Sequence, residues 1–79
     1  MTYQDLMGWV DQRPFSPFRV VTTDGKGFEI NSPRMIWPGS RSVLIGLPDP
    51  AEPDVRGDHI KVSMLHIVRV EPLSVPAAA

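Results

Sequence analysis

The apolar positions change period once along the chain. Near the start, Tyr3, Leu6, Met7 and Val10 fall at i, i+3, i+4 and i+7, which makes one stripe of a helix. Thr2 precedes the stripe as an N-cap, and Asp5 three residues later approximates a capping box. Pro14 ends the helix, because the residue before a proline is pushed out of the α region. The pattern predicts a helix over residues 1–13, weakened by Gly8, which costs about 1 kcal/mol relative to alanine. A helix this short is not stable alone, so its stripe must lie on something.

From Phe18 the period is two. Phe18, Val20 and Thr22 alternate with Arg19, Val21 and Thr23. Asp24-Gly25 then signals a hairpin, with a type I′ turn that needs φ > 0 at both central positions. Phe28 and Ile30 form the return strand, and Asn31-Ser32-Pro33 breaks it. Met35-Ile36-Trp37 is a short apolar piece stopped by Pro38-Gly39. The run Val43-Leu44-Ile45-Gly46-Leu47 reads as a central strand buried on both faces. Prolines 48, 50 and 53 exclude regular structure from residues 48–58. Ile60, Val62 and Met64 then alternate with Lys61 and Ser63, Leu65-His66-Ile67 makes a tight corner, and Val68, Val70 and Leu73 alternate with Arg69 and Glu71. For residues 74–79 the sequence predicts a flexible tail with nothing to pack on. The order is one helix and then about five short strands in a single domain over residues 1–73. The predicted fold is mainly β, an N-terminal α-helix followed by a five-stranded, strongly bent small barrel with the helix covering one end.

Composition adds limits. A chain of 79 residues has room for one core, and without cysteine it has neither disulfides nor thiolate metal sites to stabilise it. A tightly packed barrel or self-association is the remaining aid for so small a core. An apolar content of 42% and a net charge of −1 describe an ordinary folded protein rather than a disordered one. No apolar run approaches the ~20 residues that span a bilayer. Asp5 and the lack of a basic start are unlike a signal peptide, so the expectation is a cytoplasmic protein with no membrane partner.

Catalytic chemistry finds little to stand on. No serine sits in a nucleophile elbow, and His59 and His66 lie seven apart, across a strand and a corner. The carboxylates of the 48–58 loop, four against Arg56 alone, lack the spacing of a calcium loop and read as a solvated face of net charge −3. The expectation is a non-enzyme with no catalytic residue, no metal and no cofactor. Binding is the better prospect. The overall charge leaves no global footprint for nucleic acid. An oligomer would nevertheless gather Arg34 and Arg41 from several subunits onto one face, with Trp37 as a stacking platform for bases. The plainer alternative gives Trp37 and Met35 to a subunit contact and leaves the arginines as solubilising charges. Phe15, Phe18 and Trp9 read as core.

The helix, the strand ending at Asp24-Gly25, the return strand, the variable loop and the terse corner together resemble the Sm-like family, which includes the Lsm proteins and bacterial Hfq. The stretch Val62-Ser63-Met64-Leu65-His66-Ile67-Val68-Arg69-Val70-Glu71-Pro72 is similar to the end of Hfq, where a strand, a corner, an isoleucine and a valine-rich strand also end at proline. The resemblance is one of pattern over residues 1–72, most of it shared by SH3-type small barrels. The helix followed by Pro14-Phe15-Ser16-Pro17-Phe18-Arg19 also resembles a group of small bacterial proteins, a similarity that carries no activity. The Sm-like resemblance implies a homo-oligomeric ring in which His59–Met64 of one subunit pairs with Val68–Leu73 of the next, and single-stranded RNA as the ligand. The family's own RNA-binding residues are missing: Met64-Leu65 stand where Hfq has Lys-His and Sm proteins have Arg-Gly. A protein-interaction or assembly module that binds no nucleic acid is the alternative.

Overall fold

Thr2 caps α1 (Tyr3–Val10) in both directions. Its hydroxyl accepts from the Asp5 amide at 3.1 Å, and the Asp5 carboxylate accepts from the Thr2 amide at 3.4 Å. The helix stops at Val10 rather than at 13. Gln12 accounts for the difference: its side-chain amide donates to the carbonyls of Trp9 (2.7 Å) and Ser16 (3.2 Å), which satisfies an orphan carbonyl of the last turn and draws the chain out of the helix. The structure, a computed structural model, describes residues 1–52 and 55–73. The tail at 74–79 and part of the 48–58 loop, Pro53 and Asp54, lie outside the described residues.

Two three-stranded antiparallel sheets follow the helix. The first has the order β2-β1-β6, from β1 (Phe18–Thr22), β2 (Gly27–Ile30) and β6 (Ile67–Pro72). The second has the order β3-β4-β5, from β3 (Ile36–Pro38), β4 (Ser42–Pro48) and β5 (Arg56–Ser63). The fold is thus mainly β with one N-terminal helix, but the described residues form six strands rather than five, in two sheets that do not close into a barrel. The added strand is β3, where Ile36, Trp37 and Pro38 pair with Ile45, Leu44 and Val43. An apolar central strand needs a ladder on both sides, since a buried unpaired backbone is costly. Between β2 and β3, the Ser32 hydroxyl accepts from the Arg34 amide at 3.2 Å and starts a single 3-10 turn, Pro33–Met35.

Two local expectations are corrected. Among the described residues only Gly25 has positive φ (84°), so the β1–β2 turn is not type I′. The Asp24 carboxylate accepts from the Thr22 hydroxyl and from the Lys26 amide, which holds Asp24 in the ordinary φ region and passes the left-handed residue to Gly25 alone. These two bonds also hold the Asp24 carboxyl below its ordinary pKa. In the second case β5 begins at Arg56, inside the loop that proline was to keep irregular. The Asp49 amide donates to the Val55 carbonyl at 2.9 Å and closes the loop early.

The core lies between the sheets and under α1. Leu6, Phe18, Val20, Ile30, Ile36, Val43 and Ile45 are almost fully buried, joined by Val10, Met64 and Ile67. Burying a side chain of this size contributes about 1.5–3 kcal/mol. The helix lays down Leu6 and Val10, with Met7 and Trp9 half-buried beside them, while Tyr3 is 44% exposed and leaves the expected stripe. Phe18 anchors the aromatic group, with ring centroids 5.6 Å from Trp9 and 5.8 Å from Phe15. In β4 only the inner residues Val43 and Ile45 and the side-chain-free Gly46 are buried; Leu44 and Leu47 are half-buried, so the strand is not buried on both faces throughout.

Candidate functional site

Directly opposed residues of an antiparallel pair point to the same face, so the registers define what each sheet shows to solvent. On the outer face of the first sheet, Arg19 sits between Glu29 and Glu71. It reaches Glu29 at 3.1 Å and Glu71 at 3.6 Å, and Arg69 meets Glu71 at 2.5 Å. The Glu71 carboxyl lies below its ordinary pKa, first because Arg69 hydrogen-bonds it and then because both guanidinium groups attract its charge. Gly27 makes room for this network, since a Cβ there would stand 2.8 Å from Arg19 Cδ. This face carries two cations against two anions and is spent on itself.

The outer face of the second sheet differs. Trp37, Leu44 and Lys61 form one row, and Gly46 and His59 the next. Past the register shift at Leu47/Pro48, Pro48 opposes Arg56. The Arg56 guanidinium stacks over Trp37, 5.1 Å from the ring centroid. Gly46 is the floor on which this stack rests: a Cβ there would lie 3.3 Å from Arg56 Cγ and Cδ and from Met35 Cε. Pro33, Arg34, Met35, Trp37, Val55 and Arg56 line an open cleft of ≈ 590 Å³. Trp37 remains 41% exposed. Among the described residues, every ion pair lies on the first sheet or its hairpin, and none involves Arg34, Arg56 or Lys61.

The three residues singled out in the sequence are therefore divided. Arg34 and Trp37 share the cleft. Arg41 lines a different pocket of ≈ 560 Å³ with Tyr3, Ser40, Met64 and Leu65, where its carbonyl accepts from the Met64 amide at 2.9 Å. Arg56 takes the place beside Trp37. Sequence reasoning missed it because it sits in the proline-rich acidic stretch, where it reads as a counter-ion. The end of that acidic stretch also borders the cleft, through Val55. The Asp49 carboxylate there is occupied, accepting from the Ala51 amide at 2.8 Å and the Glu52 amide at 3.3 Å.

The histidines stand apart. His59 is on the outer face of the second sheet, while His66 Nδ1 lies 3.4 Å from the Thr23 hydroxyl and its carbonyl accepts from the Thr23 amide at 2.8 Å. Among the described residues no group of three or more histidine or carboxylate side chains is gathered to hold a metal. No helix there is long and apolar enough to cross a membrane.

The strand edges are the other exposed feature. Among the described residues, β5 pairs only with β4 and β6 only with β1, so each has one row of backbone groups without a ladder. The 3-10 turn Met64–His66 joins them, and the exposed apolar side chains Leu65 (88%) and Val68 (55%) lie at this corner and on β6. Comparison with known proteins finds no matching family model, no matching curated protein and no matching solved structure.

Proposed function

We propose that the chain is a non-catalytic, homo-oligomeric binding module, a small open barrel of Sm-like or SH3-like type, whose copies join by pairing the free edge of β5 with the free edge of β6 of the next copy. The observation that carries this reading is that β5 and β6, like β2 and β3, are edge strands consecutive in sequence and in different sheets, and that the exposed apolar Leu65 and Val68 lie on the β5–β6 side. An edge strand with exposed apolar residues is costly to leave open, and copying one contact around a ring satisfies both edges at once. Leu65 and Val68 give that contact apolar area. The ligand in this reading is single-stranded RNA, met by Arg34 and Trp37. In an oligomer the ligand sites repeat, which raises avidity without any new contact.

The second reading, a protein-interaction module that binds no nucleic acid, is favoured by one observation, the acidic loop that ends at the cleft. The two are separated by fluorescence anisotropy with short oligo-U and oligo-A strands at low salt. RNA binding is supported by affinity that falls as salt rises, and the protein-interaction reading by no binding to either. The edge contact is tested by Val68→Lys, which places a charge on an exposed β6 position: it shifts the assembly to folded monomer. An assembly unchanged in mass contradicts the β6 contact.

A further inference from the structure

Six of the eight lysines and arginines divide between the two sheets. Arg19 and Arg69 are held by Glu29 and Glu71 on the first sheet, and Lys26 lies 4.0 Å from Asp24 at its hairpin. Arg56 and Lys61 lie on the outer face of the second sheet and Arg34 at its margin, with no ion-paired carboxylate among the described residues. Of the cations without an ion pair among the described residues, Arg34, Arg56 and Lys61 thus lie on the sheet that carries the exposed Trp37, whereas Arg41 lines another pocket and Arg13 follows the helix.

We infer that the outer face of the second sheet is a platform for a single-stranded nucleic acid, with one base stacked at Trp37 and the backbone phosphates running past Arg34, Arg56 and Lys61. This rests on the RNA reading above and names the surface that carries it. Stacking suits the site because every base has a π-face, and an exposed indole on a flat strand meets it without reading sequence. Arg56 already covers the indole with a flat cation, so an incoming base either stacks on the guanidinium or takes its place and sends it toward a phosphate. Gly46 is needed in either case, since a larger side chain would lift the Arg56 stem and the Met35 methyl into the cleft. The rows Trp37–Leu44–Lys61 and Gly46–His59 fix the direction of the track across all three strands. The acidic loop at one end limits how far the strand runs on that side, so the track leads from the cleft toward Lys61.

The test is salt-dependent anisotropy of a labelled oligo-U strand on the assembled protein. Trp37→Ala weakens binding about tenfold. Arg56→Ala and Lys61→Ala each weaken it and lower the slope of log K against log salt by roughly 0.7. Gly46→Val weakens it without touching a charge, and Arg41→Ala leaves it unchanged. Circular dichroism and assembly mass identical to the unaltered protein keep each variant interpretable. Binding that is lost in Trp37→Ala but unchanged in Arg56→Ala and Lys61→Ala overturns the platform while the RNA reading at Arg34 and Trp37 stands. No binding by the unaltered protein at low salt overturns both.

Discussion

Phe18 shows how much rests on single residues in a core this small. It is fully buried, opens β1, and holds Trp9 of the helix and Phe15 of the connector by tilted ring contacts. Phe18→Ala removes all of these and is expected to cost about 3–5 kcal/mol, read as a shift in the midpoint of chemical denaturation. That is a large share of the stability of any domain of this size. Thr2→Ala, which removes one half of the capping box, costs about 1 kcal/mol in the same experiment. Glu71 links stability to pH. Its folded pKa lies below its unfolded value, so the stabilisation is present in full above the unfolded value and is lost as pH falls through the folded one. Stability therefore declines as pH drops below about 4, and Glu71→Gln flattens that acid limb when unfolding is followed across pH.

Strands show which parts of the pattern were legible. Where polar and apolar residues alternate, as in Ile60-Lys61-Val62-Ser63, the outward and inward faces follow directly, and the structure keeps Lys61 exposed and Val62 half-buried opposite the buried Val43. The capping box was legible too, because its partners are three residues apart. β3 is not legible as a strand: three residues stopped by a proline carry too little period, and only pairing to β4 makes them one. The turn at Asp24-Gly25 was legible as a hairpin but not in type, since the deciding contacts come from Thr22 and Lys26 outside the dipeptide. The cleft was half legible. Arg34 and Trp37 are near in sequence, but Arg56 joins them only through the β4–β5 register, and Arg41 is taken elsewhere by the turn after β3. Facing makes a sharp prediction here: Val62→Asp puts a charge toward the core and unfolds the chain, whereas Lys61→Asp leaves it folded. Far-ultraviolet circular dichroism reads both, and a folded Val62→Asp protein would show that β5 faces the other way.

For the whole molecule the balance of edges and area decides. Two three-stranded sheets and an eight-residue helix leave the outer backbones of β5 and β6 unladdered and Leu65 and Val68 in water. A small domain buries too little surface to carry such exposure at no cost, and the repeated contact between copies proposed above would remove it. The proposed assembly would also bring several copies of the Trp37 face together, so that ligand binding would depend on the same contact. The most direct test is the mass in solution, by light scattering at micromolar concentration after nuclease treatment. The expected result is a discrete closed multiple of the 8.8 kDa chain that nuclease does not dissociate. A single species of 8.8 kDa would contradict it.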